Sequence, residues 1–173
     1  MTKFILKYIL WFVLLIPAQA VIFDHLILFD VAVPLVFIFL IIALPVTIGT
    51  NVSTIVGFLA GFILDIFCDT PGVNALSCTI LAFSRKSIFH LYVSMDDDLA
   101  GKSPSSKSMG TAIFLKYLLT MVLIYCTLVF TIEAFQFFNF RLLVIRILTS
   151  SLYTFVLLYA ADCLRSGSKE AKA

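Results

Sequence analysis

Apolar residues run through most of the chain in long continuous stretches, separated by short polar groups. Six stretches are long enough, or nearly so, to cross the hydrocarbon layer of a membrane as a helix, which takes about 20 residues. They cover 4–23, 26–44, 52–68, 73–92, 111–132 and 141–162. Stretches of this kind lack the residue-by-residue alternation of a lipid-facing barrel. The pattern predicts an all-α integral membrane protein, a compact bundle of six transmembrane helices forming one domain over 1–164.

One connection is long and hydrophilic, residues 93–110, with the sequence VSMDDDLAGKSPSSKSMG. Its acids, lysines, proline and serines are typical of a solvated loop. Residues 165–173 form a second polar segment, a tail after the last span. The pattern indicates neither a repeat nor a second domain.

The composition supports a membrane protein. Of 173 residues, 62% are hydrophobic and 13% are charged, and the mean hydropathy is +1.12. Soluble domains carry about 25% charged residues. The net charge is +2, and no basic cluster exceeds Arg85-Lys86, so the chain lacks the electrostatic footprint of a nucleic-acid-binding protein.

The basic residues predict an orientation, because cytoplasmic segments of membrane proteins are enriched in lysine and arginine. Ten of the twelve lie on one side of the predicted bundle. These are Lys3, Lys7, Arg85, Lys86, Lys102, Lys107, Lys116, Arg165, Lys169 and Lys172. Only Arg141 and Arg146 lie near the other side. Both termini, the 93–110 loop and the 165–173 tail are therefore predicted to be cytoplasmic.

Two of the six spans have a second interpretation. The first stretch contains Ala18-Gln19-Ala20, which resembles the cleavage site of a secretory signal, so the stretch is either a retained helix or a removed leader. The fourth is interrupted by Arg85-Lys86, and its last residues either complete a crossing or lie along the interface. In both cases Arg85 and Lys86 are expected to face the cytoplasm or anionic headgroups.

Small residues recur every four positions along the third span. Ser53, Gly57, Gly61 and Asp65 form a slanted stripe on a helix, because four residues turn it slightly past a full circle. Small side chains let membrane helices approach closely. The stripe is therefore a candidate packing groove ending in a carboxylate, although glycine is common in membrane helices generally.

Asp65 needs water or a partner, since a charge inside a membrane is costly. Arg146 in the sixth span shares a helix face with Ser150 and Tyr153. One hypothesis is that Asp65 faces Arg146 and that the two polar stripes pack together. The alternative is that Asp65 reaches the outer headgroups alone.

Two segments are predicted on the outer side. Thr70-Pro71-Gly72 is typical of a turn and predicts a tight hairpin between the third and fourth spans. Residues 133–141, EAFQFFNFR, link the fifth and sixth spans. Their four phenylalanines form either an interface with another protein or an aromatic anchor at the membrane boundary; they are Phe135, Phe137, Phe138 and Phe140.

Patterns that carry chemistry are missing from the sequence. It contains no HExxH, no GxSxG and no glycine-rich phosphate loop, and its four cysteines show no CxxC spacing. Asp65 is the one acid well inside a predicted span. We therefore expect neither catalysis nor a metal or cofactor.

Two segments resemble a known family. GFLAGFILDIFCDTPGVNAL, followed by TILAFSRKSI, resembles the core signature of the rod shape-determining MreD family. EAFQFFNFRLLVIRILTSSL is similar to the corresponding late segment of Bacteroidetes members. The resemblance covers most of the chain up to about residue 164, but not the 93–110 loop or the tail.

This resemblance implies a non-catalytic inner-membrane scaffold of the bacterial cell-elongation complex. The implied partners are MreC outside the membrane, the MreB filament inside, and RodA with a class B penicillin-binding protein in the wider complex. It also implies a six-span arrangement similar to the substrate-binding subunits of energy-coupling-factor vitamin transporters. A substrate-capture subunit of such a transporter is thus the alternative function.

Overall fold

The computed structural model describes residues 12, 15–23, 33–93, 104–134 and 140–170, and every regular element in these ranges is helical. Residues 12 and 15–18 are α-helical, and the α-helices that follow are α1 (Phe39–Ile42), α2 (Thr50–Cys68), α3 (Val73–Tyr92), α4 (Ser106–Met109), α5 (Thr111–Glu133) and α6 (Phe140–Glu170). A π-helical turn covers Gln19–Phe23, and a 3-10 helix covers Val36–Ile38.

Three of the described helices are long and apolar enough to cross a membrane. They are Thr50–Cys68, Thr111–Glu133 and Phe140–Cys163, which correspond to the third, fifth and sixth predicted spans. Helix α3 matches the bounds of the fourth predicted span. It is not among the three, because Arg85 and Lys86 interrupt its apolar stretch.

Helices α2 and α3 form a hairpin and make the most extensive helix contact in the described structure. Helix α2 ends where Asp69 adopts a left-handed backbone, with φ of 54°. Gly72, with φ of 79°, then precedes α3, and glycine tolerates this conformation because it has no Cβ. Pro71 and Gly72 are exposed in the turn. We call this end of the molecule the hairpin end.

The prediction of a continuous second span over 26–44 is wrong for its described part. Residues 33–35 have no regular structure, and only 36–42 are helical before the chain turns again. Pro34 and Pro45 flank this short helical piece, and proline cannot sit inside a regular helix without loss of a hydrogen bond. We call residues 33–45 the interrupted segment, and all of it from 34 onward is buried.

Helix α6 supplies hydrogen bonds to the start of the interrupted segment. The N–H of Val33 donates to Ser150 Oγ, and the N–H of Leu35 donates to Thr154 Oγ1, each at 3.0 Å. Ser150 and Thr154 are fully buried. Irregular backbone among apolar surroundings requires such partners, because no water is present to satisfy its polar groups.

Gln19, in the π-helical turn, makes further hydrogen bonds to the start of the interrupted segment. Its Nε2 donates to the Pro34 carbonyl at 2.7 Å. Its Oε1 accepts the N–H groups of Val36 and Phe37, at 2.8 and 3.3 Å. One buried amide thus satisfies three backbone groups around the start of the 3-10 helix.

Replacing Thr154 with valine should destabilise the protein by about 1–3 kcal/mol, because the shape is kept while the N–H of Leu35 loses its acceptor. The matched control is Thr149→Val on the same helix, since Thr149 is exposed and its hydroxyl donates only to carbonyls of its own helix. Unfolding of both variants in mixed micelles measures the difference. Equal free energies of unfolding would show that the Leu35 bond contributes nothing.

The core lies between the interrupted segment and α5. Phe37, Ile38, Ile41 and Ile42 are fully buried, and Phe37 packs edge-on against Tyr125 with ring centroids 5.7 Å apart. By contrast, α2 and α6 carry rows of exposed apolar side chains. On α2 these are Val52, Ile55, Phe58, Leu59, Phe62, Ile66 and Phe67, and on α6 they are Phe140, Leu142, Val144, Ile145, Leu148, Leu152 and Val156. Such faces suit lipid or other membrane helices.

The opposite end of the molecule ties the long connection to α6. Asp162 is 1% exposed, and its Oδ2 accepts the N–H and the hydroxyl of Ser106, at 3.0 and 2.7 Å. Met109 is also buried. The described part of the 93–110 connection therefore packs onto the bundle, in contrast to the predicted solvated loop. Helix α6 also continues to Glu170, into the predicted 165–173 tail.

Candidate functional site

Asp65 lies near the end of α2, is 6% exposed, and accepts four hydrogen bonds at the start of α3. Its Oδ1 accepts the Thr70 hydroxyl at 2.6 Å, the Asn74 N–H at 3.0 Å and the Asn74 side-chain amide at 3.1 Å. Its Oδ2 accepts the N–H of Ala75 at 2.8 Å. The carboxylate therefore holds the turn and the next helix together.

Asp65 binds at this position because the N-terminal end of α3 is electrostatically positive. The first N–H groups of α3 have no acceptor within their own helix, and the helix dipole favours a negative charge there. Hydrogen bonds to an ionised acceptor are also stronger than neutral ones. Asp65 belongs to the preceding helix, so its bonds fix α2 against α3 rather than capping its own helix.

The predicted pairing of Asp65 with Arg146 is wrong. Arg146 is exposed, and no ion pair joins it to Asp65 among the described residues. The two predicted stripes do not pack together either, because the small-residue stripe lies against α3 while Ser150 bonds to Val33. The alternative, in which Asp65 reaches headgroups alone, also fails, since its oxygens are engaged with α3.

The glycines of the stripe bring the two backbones into contact. A Cβ placed on Gly57 would lie 2.7 Å from the Cβ of Ala82 and 2.8 Å from the carbonyl oxygen of Cys78. A Cβ on Gly61 would meet the Asn74 carbonyl and lie 2.6 Å from the Cα of Ala75. The partner of this groove is thus α3.

Ser53, at the other end of the stripe, is 1% exposed. Its hydroxyl has no hydrogen-bond partner among the described residues. All four positions of the stripe are therefore buried, and Gly57, Gly61 and Asp65 contact α3.

The Asp65 network extends into the core. Asn74 Oδ1 accepts the hydroxyl of Tyr125 on α5 at 2.8 Å. The thiol of Cys78, one turn further along α3, donates to Tyr125 Oη at 3.9 Å. Tyr125 and Cys78 are both fully buried. One connected set of hydrogen bonds therefore joins α2, the turn, α3 and α5.

Arg85 differs from its prediction, because it is 3% exposed instead of facing the cytoplasm or headgroups. Its Nη1 donates to the Leu44 carbonyl at 2.5 Å and its Nη2 to the Pro45 carbonyl at 3.0 Å. These carbonyls follow α1, whose C-terminal end carries partial negative charge. The neighbouring Lys86 is exposed. Arg85 therefore fixes the end of the interrupted segment.

Arg85→Lys should lower the free energy of unfolding by about 2–3 kcal/mol, because a single ammonium group cannot reproduce the fork that binds two carbonyls. Lys86→Arg is the matched control, an exposed change of the opposite sense. Unfolding in mixed micelles compares the two. A loss no larger for Arg85→Lys than for Lys86→Arg would contradict a role for the guanidinium fork.

A cavity of about 230 Å³ lies at the hairpin end, between the interrupted segment, α2, α3, α5 and α6. It is lined by Val33, Leu35, Leu64, Cys68, Thr70, Asn74, Val129, Phe130, Glu133 and Arg146. Most of these are apolar. Within the described part of the chain, no group of three or more His, Cys, Asp or Glu side chains is placed to hold a metal ion.

Residues 133–141, which we call the phenylalanine link, lie mostly outside the described residues, which do not include Phe135, Phe137 and Phe138. Phe140 is the first residue of α6 and is 78% exposed. Its position at the hairpin end leaves its ring available to lipid or to another protein.

Sequence reasoning missed the polar residues that hold the interrupted segment, namely Gln19, Arg85, Ser150 and Thr154. Pro34 and Pro45 were available as a signal, because two prolines within one apolar stretch predict irregular backbone that needs partners. Asn74 was also missed. A polar residue just after a turn is typical of a helix start, but its bonds to Asp65 and Tyr125 depend on the fold.

Comparisons of the chain with protein-family models, curated proteins and solved structures found no match. Function must therefore be inferred from the residues, their contacts and the sequence resemblance alone.

Proposed function

We propose that the chain is a non-catalytic scaffold of the bacterial cell-elongation complex, of the MreD kind. In this role it holds MreC and the peptidoglycan-synthesis machinery, RodA and a class B penicillin-binding protein, at the membrane near MreB. The proposal begins from the resemblance of the 57–76 and 133–152 segments to that family.

The observation that carries the proposal is that buried polar side chains bind the backbone of neighbouring elements. Asp65, Arg85, Asp162 and Gln19 each bind backbone groups of another element. These contacts fix the helices relative to one another, and a fixed set of apolar outer faces is what a scaffold offers to neighbouring membrane proteins.

The same proposal includes the membrane arrangement. The chain crosses the bacterial inner membrane six times, with both termini in the cytoplasm and the hairpin end outside. The interrupted segment belongs to the second crossing and α3 to the fourth. The phenylalanine link, including Phe140, would then lie at the outer boundary, where the bulk of MreC is located.

Purification from detergent tests the scaffold directly. A tagged chain should copurify with MreC from its native membrane, and depletion of the chain should round or swell rod-shaped cells. A matched control is a tagged membrane protein of similar size expressed at the same level. Normal cell shape after depletion, together with no MreC above the control, would reject the proposal.

A second candidate function is substrate capture for an energy-coupling-factor type vitamin transporter. The 230 Å³ cavity favours it, because membrane transport proteins bind substrates where irregular backbone lines a cavity. This function requires a retained vitamin and copurification with an energy-coupling transmembrane subunit. The same purification therefore distinguishes the two functions, since MreC and the coupling subunit are different proteins.

A further inference from the structure

The cavity at the hairpin end is lined by two uncharged polar side chains, Thr70 and Asn74, and by two charged ones. Thr70 and Asn74 are already engaged, since the Thr70 hydroxyl donates to Asp65 while accepting from Asn74, whose amide oxygen accepts from Tyr125. They have little remaining capacity to recognise a ligand. The charged side chains that line the cavity are Glu133 and Arg146.

Arg146 carries an unpaired charge among apolar neighbours. Its guanidinium has no hydrogen-bond or ion-pair partner among the described residues. The exposed residues around it on α6 include Ile145 and Leu148, both apolar. In a membrane, a guanidinium beside such apolar side chains is stabilised by an anionic partner.

The walls of the cavity suit an apolar group of limited size. Leu35, Leu64, Val129 and Phe130 line it together with Val33. A protein cavity of about 150 Å³ holds one benzene molecule. By proportion, 230 Å³ holds a body of roughly nine non-hydrogen atoms.

We propose that this cavity is a binding site for an anionic amphiphile, with the anionic group on Arg146 and the apolar part between Leu64 and Phe130. The occupant is either a free organic acid or part of an anionic phospholipid, which present the same chemistry. The inference rests on the cavity and on Arg146, and does not depend on the scaffold function.

The experiment uses the full chain in phosphatidylcholine nanodiscs, with benzoate as the probe and benzamide as its uncharged counterpart of the same size. Ligand-detected NMR titrations should show benzoate binding, with benzamide at least about tenfold weaker, since one charge-assisted hydrogen bond is lost. Arg146→Gln should weaken benzoate binding by a similar factor. Arg141→Gln is the matched control, because Arg141 is exposed on the same helix and does not line the cavity.

Alkylation of the wild-type protein provides a test that needs no variant. Cys68 lines the cavity, whereas Cys163 is an exposed cysteine near Asp162 at the other end of the molecule. Benzoate should slow alkylation of Cys68 and leave that of Cys163 unchanged. Equal rates with and without benzoate at both cysteines would count against occupancy of the cavity.

Native mass spectrometry distinguishes the two sources. If the occupant is a lipid, wild type and Arg141→Gln should retain phosphatidylglycerol through purification while Arg146→Gln loses it. If it is a free acid, benzoate binds as described and no phosphatidylglycerol is retained. The proposal is overturned if the protein binds neither benzoate nor phosphatidylglycerol, or if benzamide binds as tightly as benzoate. It is also overturned if Arg146→Gln and Arg141→Gln have the same effect on binding.

Discussion

Asp65→Ala should lower the free energy of unfolding by about 3–5 kcal/mol, enough to reduce the abundance of the protein in the membrane. The change removes one acceptor of four hydrogen bonds and leaves two backbone N–H groups at the start of α3 buried without partners. A loss of this size is exceptional for a single substitution, and here it has a specific cause: one carboxylate joins two helices and their turn.

Asp65→Asn separates charge from geometry. The amide oxygen can still accept the bonds made by Oδ1, but the amide nitrogen would face the N–H of Ala75, donor against donor. We therefore expect a smaller loss than for alanine, about 2 kcal/mol. The matched control is Asp69→Asn, because Asp69 is exposed and asparagine accepts its left-handed backbone. Equilibrium unfolding in mixed micelles measures all three variants.

Exchanging the charges of Asp65 and Arg146 tests whether Asp65 is stabilised by Arg146 or by α3. If Asp65 depended on Arg146, the double change Asp65→Arg with Arg146→Asp would restore abundance. In the observed structure an arginine at position 65 would point positive charge at the positive end of α3. The double variant should thus be no more abundant than Asp65→Arg alone, and recovery to the wild-type level would show that the α3 contacts are not what stabilises Asp65.

The sequence predicts helices well where apolar length and turn chemistry agree. Helices α2, α3 and α5 begin and end within about two residues of the predicted spans, because Thr70-Pro71-Gly72 and the polar segment around Gly110 mark their ends. The continuous second helix was wrong for its described part because apolar length alone supported it. Its apolar residues fit both a membrane helix and a buried irregular segment, and hydropathy alone does not distinguish them.

Partners of charged residues were the least predictable part of the site. Helical spacing placed Ser53, Gly57, Gly61 and Asp65 on one face, but spacing within a helix does not identify which neighbour that face meets. The predicted pairing with Arg146 assumed that a buried carboxylate requires an oppositely charged side chain as its partner. Backbone N–H groups at a helix start satisfy a carboxylate as well, and every helix supplies them without a sequence signature.

Gly61→Ala should be as damaging as the loss of Asp65, for a steric reason. The added Cβ would overlap the Asn74 carbonyl and the Cα of Ala75, which are backbone atoms and cannot rotate away. The hairpin would have to open, lengthening the Asp65 bonds, so we expect a loss of about 3 kcal/mol or more. Gly49→Ala is the control, because nothing lies within 4 Å of its Cβ position, and its cost should stay within about 1 kcal/mol.

Gly57 allows a rescue that Gly61 does not. A Cβ on Gly57 meets the side chain of Ala82 as well as the Cys78 carbonyl, so Ala82→Gly removes one of its two obstacles. The double variant Gly57→Ala with Ala82→Gly should recover part of the stability lost by Gly57→Ala, whereas Ala82→Gly should not improve Gly61→Ala. Equal effects of Ala82→Gly on both alanine variants in the unfolding assay would contradict this contact. Partial rescue at one glycine and none at the other would indicate that close backbone approach at the Gly61 level, beside Asp65, sets the spacing of the hairpin.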